Sequence, residues 1–287
     1  MITKNQIKSF HEEGYIVIKK LVSKKDIKKV FFQMNYILDT ILKYNKINYN
    51  PISSVEKKYF LLKKKKPKLK SHFYDSIRVT DSLNNIVYSD KITKIIKKLL
   101  NTKTLFVTNH RLRTDHKNEK ANLSLHQELN NISTESALIF CPFVKVNKKT
   151  GSICIIPRSH KHGHLEFNNS KIAAESYTNG KVDKILKNLE KNNYKNKIVA
   201  SYFKKKNIFF PNLNPGDALI FKSMLFHGST NYSKKGIRWT LLGNYHLVEK
   251  TPYILNNTFK HGGMELGIPM RIPYSKNLNK ILIKKIN

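Results

Sequence analysis

The run SLHQELNN places His126 and Glu128 two residues apart in an extended segment. In a strand, positions i and i+2 project from the same face, so an imidazole and a carboxylate would stand side by side. Such a pair is two-thirds of the facial triad that holds a non-haem Fe(II). The third ligand has to come from elsewhere. His227 is the candidate, because it ends an apolar run (ALIFKSMLFHGS) that follows the turn signal at Pro215 and Gly216. His126, Glu128 and His227 are thus the candidate metal ligands and, with the metal, the candidate catalytic residues. A His-x-Glu pair alone arises by chance, and an exposed strand pair is an equal reading of it. Arg238 stands eleven residues beyond His227, in the strand-like run GIRWTLLGNY. Two antiparallel strands joined by a short turn would bring its guanidinium to the pocket of His227. That rigid fork suits a carboxylate, such as the far end of 2-oxoglutarate, and the Ser229 hydroxyl could add a hydrogen bond.

These residues need elements to position them. The pattern predicts a short helix over 3–12, a strand at 15–18 after Gly14, and a long amphipathic helix opened by the cap residue Ser23. The long helix carries apolar positions at Ile27, Val30, Phe31, Met34, Ile37, Leu38 and Ile41. Residues 45–75 are polar and lysine-rich and read as loop with a short helix. Residues 90–100 repeat the helical spacing. Past Lys103 the character changes to short β-rich runs at 104–113, 123–129, 137–146, 152–156, 217–221 and 237–248, punctuated by turn signals at 149–151, 215–216 and 235–236. Many short strands with few helices between them argue for an antiparallel sandwich or barrel. A polar, partly helical insertion over 165–210 interrupts the pattern. The expected layout is one domain over 1–287: a helical part (1–103), a β core (104–250) and a C-terminal extension (251–287).

Composition bounds the function. With 287 residues the chain can bury a sizeable core without disulfides or a structural metal. Its two cysteines, Cys141 and Cys154, exclude a disulfide scaffold and read as small buried hydrophobes of a reducing compartment. No apolar stretch approaches ~18 residues and no signal-peptide core opens the chain, so a soluble cytoplasmic protein is the expectation. The 54 Lys and Arg against 19 Asp and Glu give a net charge of +35, a field that favours anionic partners. Only six of those basic residues are arginine, the residue that sequence-reading proteins lean on, and neither zinc-finger spacing nor an RRM signature is present. Nucleic acid is therefore disfavoured as a partner. The densest cluster, KKKKPKLK at 63–70, reads first as a solvated loop and second as an anion-binding patch.

The chain resembles the phytanoyl-CoA dioxygenase-type family of Fe(II)/2-oxoglutarate oxygenases. The resemblance begins at FHEEGYIVIKKLVSKKDI (10–27) and continues through LHQE (125–128) and TGSICIIPRSHKHG (150–163). It ends with NPGDALIFKSMLFHGSTNYSKKGIRWTLLGNY (214–245). It covers most of the chain, with four motifs in order. It implies a mainly β fold, a double-stranded β-helix (jelly-roll, cupin-like) core with N-terminal helices as buttress. It implies Fe(II) on His126, Glu128 and His227, with 2-oxoglutarate and O2 as cosubstrates. Arg238 and Ser229 would hold the far carboxylate. The reaction would yield succinate and CO2 and, by default, a hydroxylated small-molecule or lipid- or sugar-type substrate. One departure is that Glu128 stands where the family usually has Asp, one methylene shorter.

Other residues carry two readings each. Asn109, Arg111 and Arg113 alternate along the strand preceding the metal strand; they either line the pocket and read an anionic cosubstrate or substrate, with Arg113 as a cosubstrate contact, or form a solvated sheet face. His160, His162 and His164 (SHKHGH) alternate like a second metal cluster, but a structural or solvent-facing loop is the expected role. Trp239 should face away from Arg238, into the core. Two rival functions share the fold: a cupin-type metal protein without 2-oxoglutarate chemistry, and a basic nucleic-acid-binding protein. The sequence does not specify the substrate or the oligomeric state.

Overall fold

The computed structural model describes residues 2–117, 127–128, 135–162, 208–230 and 232–247. The 165–210 insertion (apart from 208–210), the 251–287 extension and most of the 123–129 run lie outside them. Helix α1 (Lys4–Glu13) starts in a capping box, with the Thr3 hydroxyl accepting from the Gln6 amide and the Gln6 side chain accepting from the Thr3 amide; it ends at Gly14. A strand, β1 (Tyr15–Ile18), follows. Ser23 caps α2 (Lys24–Tyr44), which buries Ile27, Val30, Met34, Leu38 and Leu42 at helical spacing.

Residues 45–75, expected as loop with a short helix, instead build α3 (Val55–Lys65) and most of α4 (Leu69–Arg78). Only Lys58, Tyr59 and Leu62 are buried in α3, and one of the three is a lysine paired with Asp39, so its apolar face is too narrow to read through the lysines. Lysine is itself a good helix former, and Lys63, Lys64 and Lys65 occupy the last turn, where the helix dipole favours positive charge. The 63–70 cluster is therefore a helix end, a Lys66 cap and a helix start, not one loop. Helices α5 (Asp81–Val87) and α6 (Asp90–Leu100) complete the helical layer. Among the described residues no helix is long and apolar enough to cross a membrane.

Among the described residues every strand pair of the β core is antiparallel. Strands β2 (Leu105–His116), β3 (Ser136–Pro142), β5 (Ala218–Lys222) and β7 (Ile237–Leu247) join β1 in a five-stranded sheet of order β1-β5-β3-β7-β2. Strands β4 (Ile153–Ile155) and β6 (His227–Ser229) pair in a second, two-stranded sheet. One apolar cluster joins Leu138, Phe140, Leu219 and Phe221 of the large sheet to Ile153 and Ile155 of the small one, so the two sheets face each other. The other face of the large sheet, including Ala218, Ile220, Trp239, Leu241 and Tyr245, packs in a second cluster with the helices. This is the jelly-roll with a helical buttress that the sequence implies, and Trp239 is core, 1% exposed.

The turn that launches β5 ties the layers together. Buried Asp217 accepts from the Lys20 amide (2.8 Å), the Lys19 ammonium (3.0 Å) and the Asn214 amide (3.0 Å). The preceding Gly216 has φ +84, and a Cβ there would lie 2.2 Å from the Val22 carbonyl oxygen. Gly216→Ala meets backbone strain and a backbone clash together. It should lower the stability measured by denaturant unfolding by more than about 1 kcal/mol. A second test concerns pH. Burial pushes the imidazole of His246, fully enclosed on β7, down to about 3. The unfolded chain takes up that proton near pH 6.5 and the folded chain does not. Stability is therefore full above pH 6.5 and falls on acidification towards pH 3, at roughly 1.4 kcal/mol per pH unit from this residue. His246→Asn should flatten the decline between pH 6.5 and 4.5 by about that slope.

Candidate active site

His227 opens β6, with its ring on the inner side of the jelly-roll against Phe221 (ring centroids 4.7 Å apart). Its Nδ1 lies 2.9 Å from the Leu225 carbonyl oxygen. A carbonyl only accepts, so Nδ1 carries the proton, and in the neutral ring the lone pair is on Nε2. That Nε2 is 3.6 Å from Glu128 Oε1. The separation is too long for a hydrogen bond and brings two lone-pair donors face to face, an arrangement a cation between them satisfies. These two groups therefore fit an Fe(II) site. His126 lies outside the described residues, and among those residues no group of three His, Cys, Asp or Glu side chains converges.

The carboxylate segment is held by the loop that leads into His227. The Glu128 amide donates to the Ser223 carbonyl (3.0 Å), and the Gln127 side-chain amide donates to the Met224 carbonyl (2.6 Å). Both candidate ligands are thus referenced to the β5–β6 connection. The pocket they share is lined also by Arg111, Arg113, Ser229 and Asn244 and by apolar residues of both sheets, among them Phe140 and Leu242.

One end of this region is an arginine cluster that the register of β2 on β7 builds. Asp115 pairs with Arg238, Arg113 with Thr240 and Arg111 with Leu242, so these side chains share the inner face. The Arg113 Nε and Nη2 donate to Asp115 Oδ1 (2.9 and 2.6 Å), and its Nη1 reaches Ser229 Oγ (3.3 Å). The Arg238 Nε and Nη2 take Asp115 Oδ2 (3.2 and 3.0 Å), and its Nη1 donates to the Thr230 carbonyl (3.2 Å). Arg238 is 1% exposed; burial pulls its guanidinium below the ordinary arginine value, with Asp115 acting against that pull.

Glu128, His227, Ser229 and Arg113 line one pocket, and Arg111 lines it too rather than forming a solvated face. Arg238 sits behind, reaching the His227 strand through Thr230. The expected hairpin between these two residues is not what brings them together: β6 and β7 lie in different sheets. Sequence reading missed Asp115, Thr230 and Gln127. The alternation of Arg111, Arg113 and Asp115 along one strand was the available signal for the first. Of the histidine run, His160 is tied to the His11 carbonyl (3.0 Å) and pushed down chiefly by burial to about 4. Both cysteines are free and buried, and burial pushes their thiols up, that of Cys154 to about 12. Neither is poised for redox work.

The family profile described as Phytanoyl-CoA dioxygenase (PhyH) matches residues 10–239. The chain belongs to the phytanoyl-CoA dioxygenase family. No curated protein sequence matches it. Solved structures share its fold at low identity. EctD from S. alaskensis with 2-oxoglutarate and 5-hydroxyectoine aligns at TM-score 0.55 and 15% identity, over 87% of this chain and 77% of that one. The epimerase SnoN from nogalamycin biosynthesis, in complex with Fe3+, alpha ketoglutarate and nogalamycin RO, gives 0.56 and 10%, over 90% of both chains. The carbocyclase SnoK from the same biosynthesis gives 0.54 and 11%, over 94% and 93%. The phytanoyl-CoA dioxygenase assignment fits the two opposed ligand groups, and it makes a direct expectation of His227. His227→Ala should abolish Fe(II) binding in an anaerobic calorimetric titration, while the unfolding midpoint of the iron-free protein stays close to wild type.

Proposed function

We propose that this chain is an Fe(II)- and 2-oxoglutarate-dependent dioxygenase that hydroxylates a small-molecule substrate and releases succinate and CO2. The observation that carries the reading is the opposed pair of His227 Nε2 and Glu128 Oε1, opening on a pocket whose other end is an arginine cluster. His126, Glu128 and His227 would hold the iron, which supplies the activation of dioxygen. The protein's own groups do the rest. Leu225 fixes the tautomer that leaves the lone pair on the His227 Nε2, and Ser223 and Met224 hold the carboxylate segment against it. Arg113, Ser229 and Arg238 supply the charge and the donors for the far carboxylate of 2-oxoglutarate. Phe140, Phe221 and Leu242 keep the walls apolar, which strengthens electrostatic contacts inside and excludes water.

The substrate class is proposed from the same wall. Arg111 and Asn244 line the pocket beside Glu128, a pairing that suits a small anionic molecule with an apolar body. The related folds include an epimerase and a carbocyclase, so hydroxylation is read from succinate-coupled product rather than from fold. Two measurements test the proposal. Iron and 2-oxoglutarate together should yield succinate, which neither the iron-free protein nor His227→Ala should produce. Arg238→Lys keeps a charge but loses the planar fork, so it should weaken 2-oxoglutarate about ten- to a hundredfold with iron stoichiometry unchanged. Succinate formation without iron would contradict the reading.

A further inference from the structure

We infer that Asp115 is the positioning residue of the cosubstrate end, a buried carboxylate that aims two guanidiniums at once and sets their joint charge to one. The inference rests on the proposed dioxygenase reading and deepens it. Asp115 is 4% exposed, and its two oxygens are divided between two partners. Oδ1 takes the Nε–Nη2 edge of Arg113, and Oδ2 takes the same edge of Arg238. With those edges fixed, each arginine presents Nη1 to the strand that carries His227: Arg113 to the Ser229 hydroxyl, Arg238 to the Thr230 carbonyl. The arginine forks are therefore set in register with the metal-ligand strand through a single carboxylate.

The charge count makes the arrangement asymmetric in a useful way. Two guanidiniums and one carboxylate leave one positive charge in a buried cluster, which one further carboxylate would neutralise. Two guanidiniums without Asp115 would repel each other in a site of low dielectric, and each would lose the partner that fixes its plane. Charge alone and positioning alone predict opposite outcomes when Asp115 is neutralised. More positive charge should tighten an anionic cosubstrate. Loss of aim should weaken it, and should do so only for a ligand that uses the far carboxylate.

The test uses the iron-loaded protein under anaerobic conditions, with binding measured by calorimetry for 2-oxoglutarate and for 2-oxobutyrate, which lacks the far carboxylate. Asp115→Asn should weaken 2-oxoglutarate about tenfold or more and leave 2-oxobutyrate within about twofold, so that the discrimination between them collapses. Arg113→Gln should do the same, and adding Asp115→Asn to it should weaken 2-oxoglutarate further but by less than in the wild-type background, because only the aim of Arg238 is then left to lose. Should Asp115→Asn not fold, Asp115→Glu keeps the charge but displaces it by a methylene. It too should weaken 2-oxoglutarate selectively. Tighter or unchanged 2-oxoglutarate binding in these Asp115 variants would overturn the inference, as would equal weakening of both acids, the mark of a merely structural role. Failure of the wild type to bind 2-oxoglutarate at all would overturn the dioxygenase reading, and this inference with it.

Discussion

Strand β7 is buried on both faces, and because side chains alternate along a strand, each face must answer to a different layer. Trp239, Leu241 and Tyr245 go to the helices, where Trp239 meets the rings of Phe31, Tyr59 and Phe73. Arg238, Thr240, Leu242, Asn244 and His246 go inward. A slip of one residue against β2 would exchange the two sets, placing a guanidinium in the aromatic core and an indole in the pocket. The apolar helix packing thus does more than stabilise the sheet. It fixes the register that sets Arg238 opposite Asp115, and so locates the arginine cluster.

The same logic links packing to chemistry at the other end of the pocket. The segment between β5 and β6 is short and its carbonyls are committed. Leu225 holds the His227 ring, Met224 holds Gln127, and Ser223 holds the Glu128 backbone. A carboxylate oxygen and an imidazole nitrogen then face each other at 3.6 Å. In a family whose members bind iron and a 2-oxo acid, that opposition fits a metal site whose two groups are held by backbone contacts. The buried cluster of Arg113, Asp115 and Arg238 gives the same region a net positive charge.

Much of this architecture was legible from residues alone, for physical reasons that differ by element. Helix α2 and β7 show clean periods, because each buries a wide apolar face. The motif from Pro215 to Tyr245 reads through because a turn glycine, a buried histidine facing a carboxylate and a buried arginine each need their own residue type. Helix α3 did not read through, since Tyr59 and Leu62 are a small anchor among lysines that say nothing about period. Arg238 lies behind the pocket and not across a hairpin from His227: the two are on different sheets, and sequence spacing carries no sheet membership. Asp115 was invisible as a partner because its role depends on cross-strand register, which spans more than a hundred residues of chain.

The most direct test of the account is the iron dependence of 2-oxoglutarate binding, measured by anaerobic calorimetry on the wild-type protein with and without one equivalent of Fe(II). If Glu128 and His227 hold a metal that completes the cosubstrate site, iron should bind once per chain. The 2-oxo acid should then bind at least about tenfold more tightly to the iron-loaded than to the iron-free protein. Equal affinity in the two states, or iron binding that ignores the opposed pair, would contradict it.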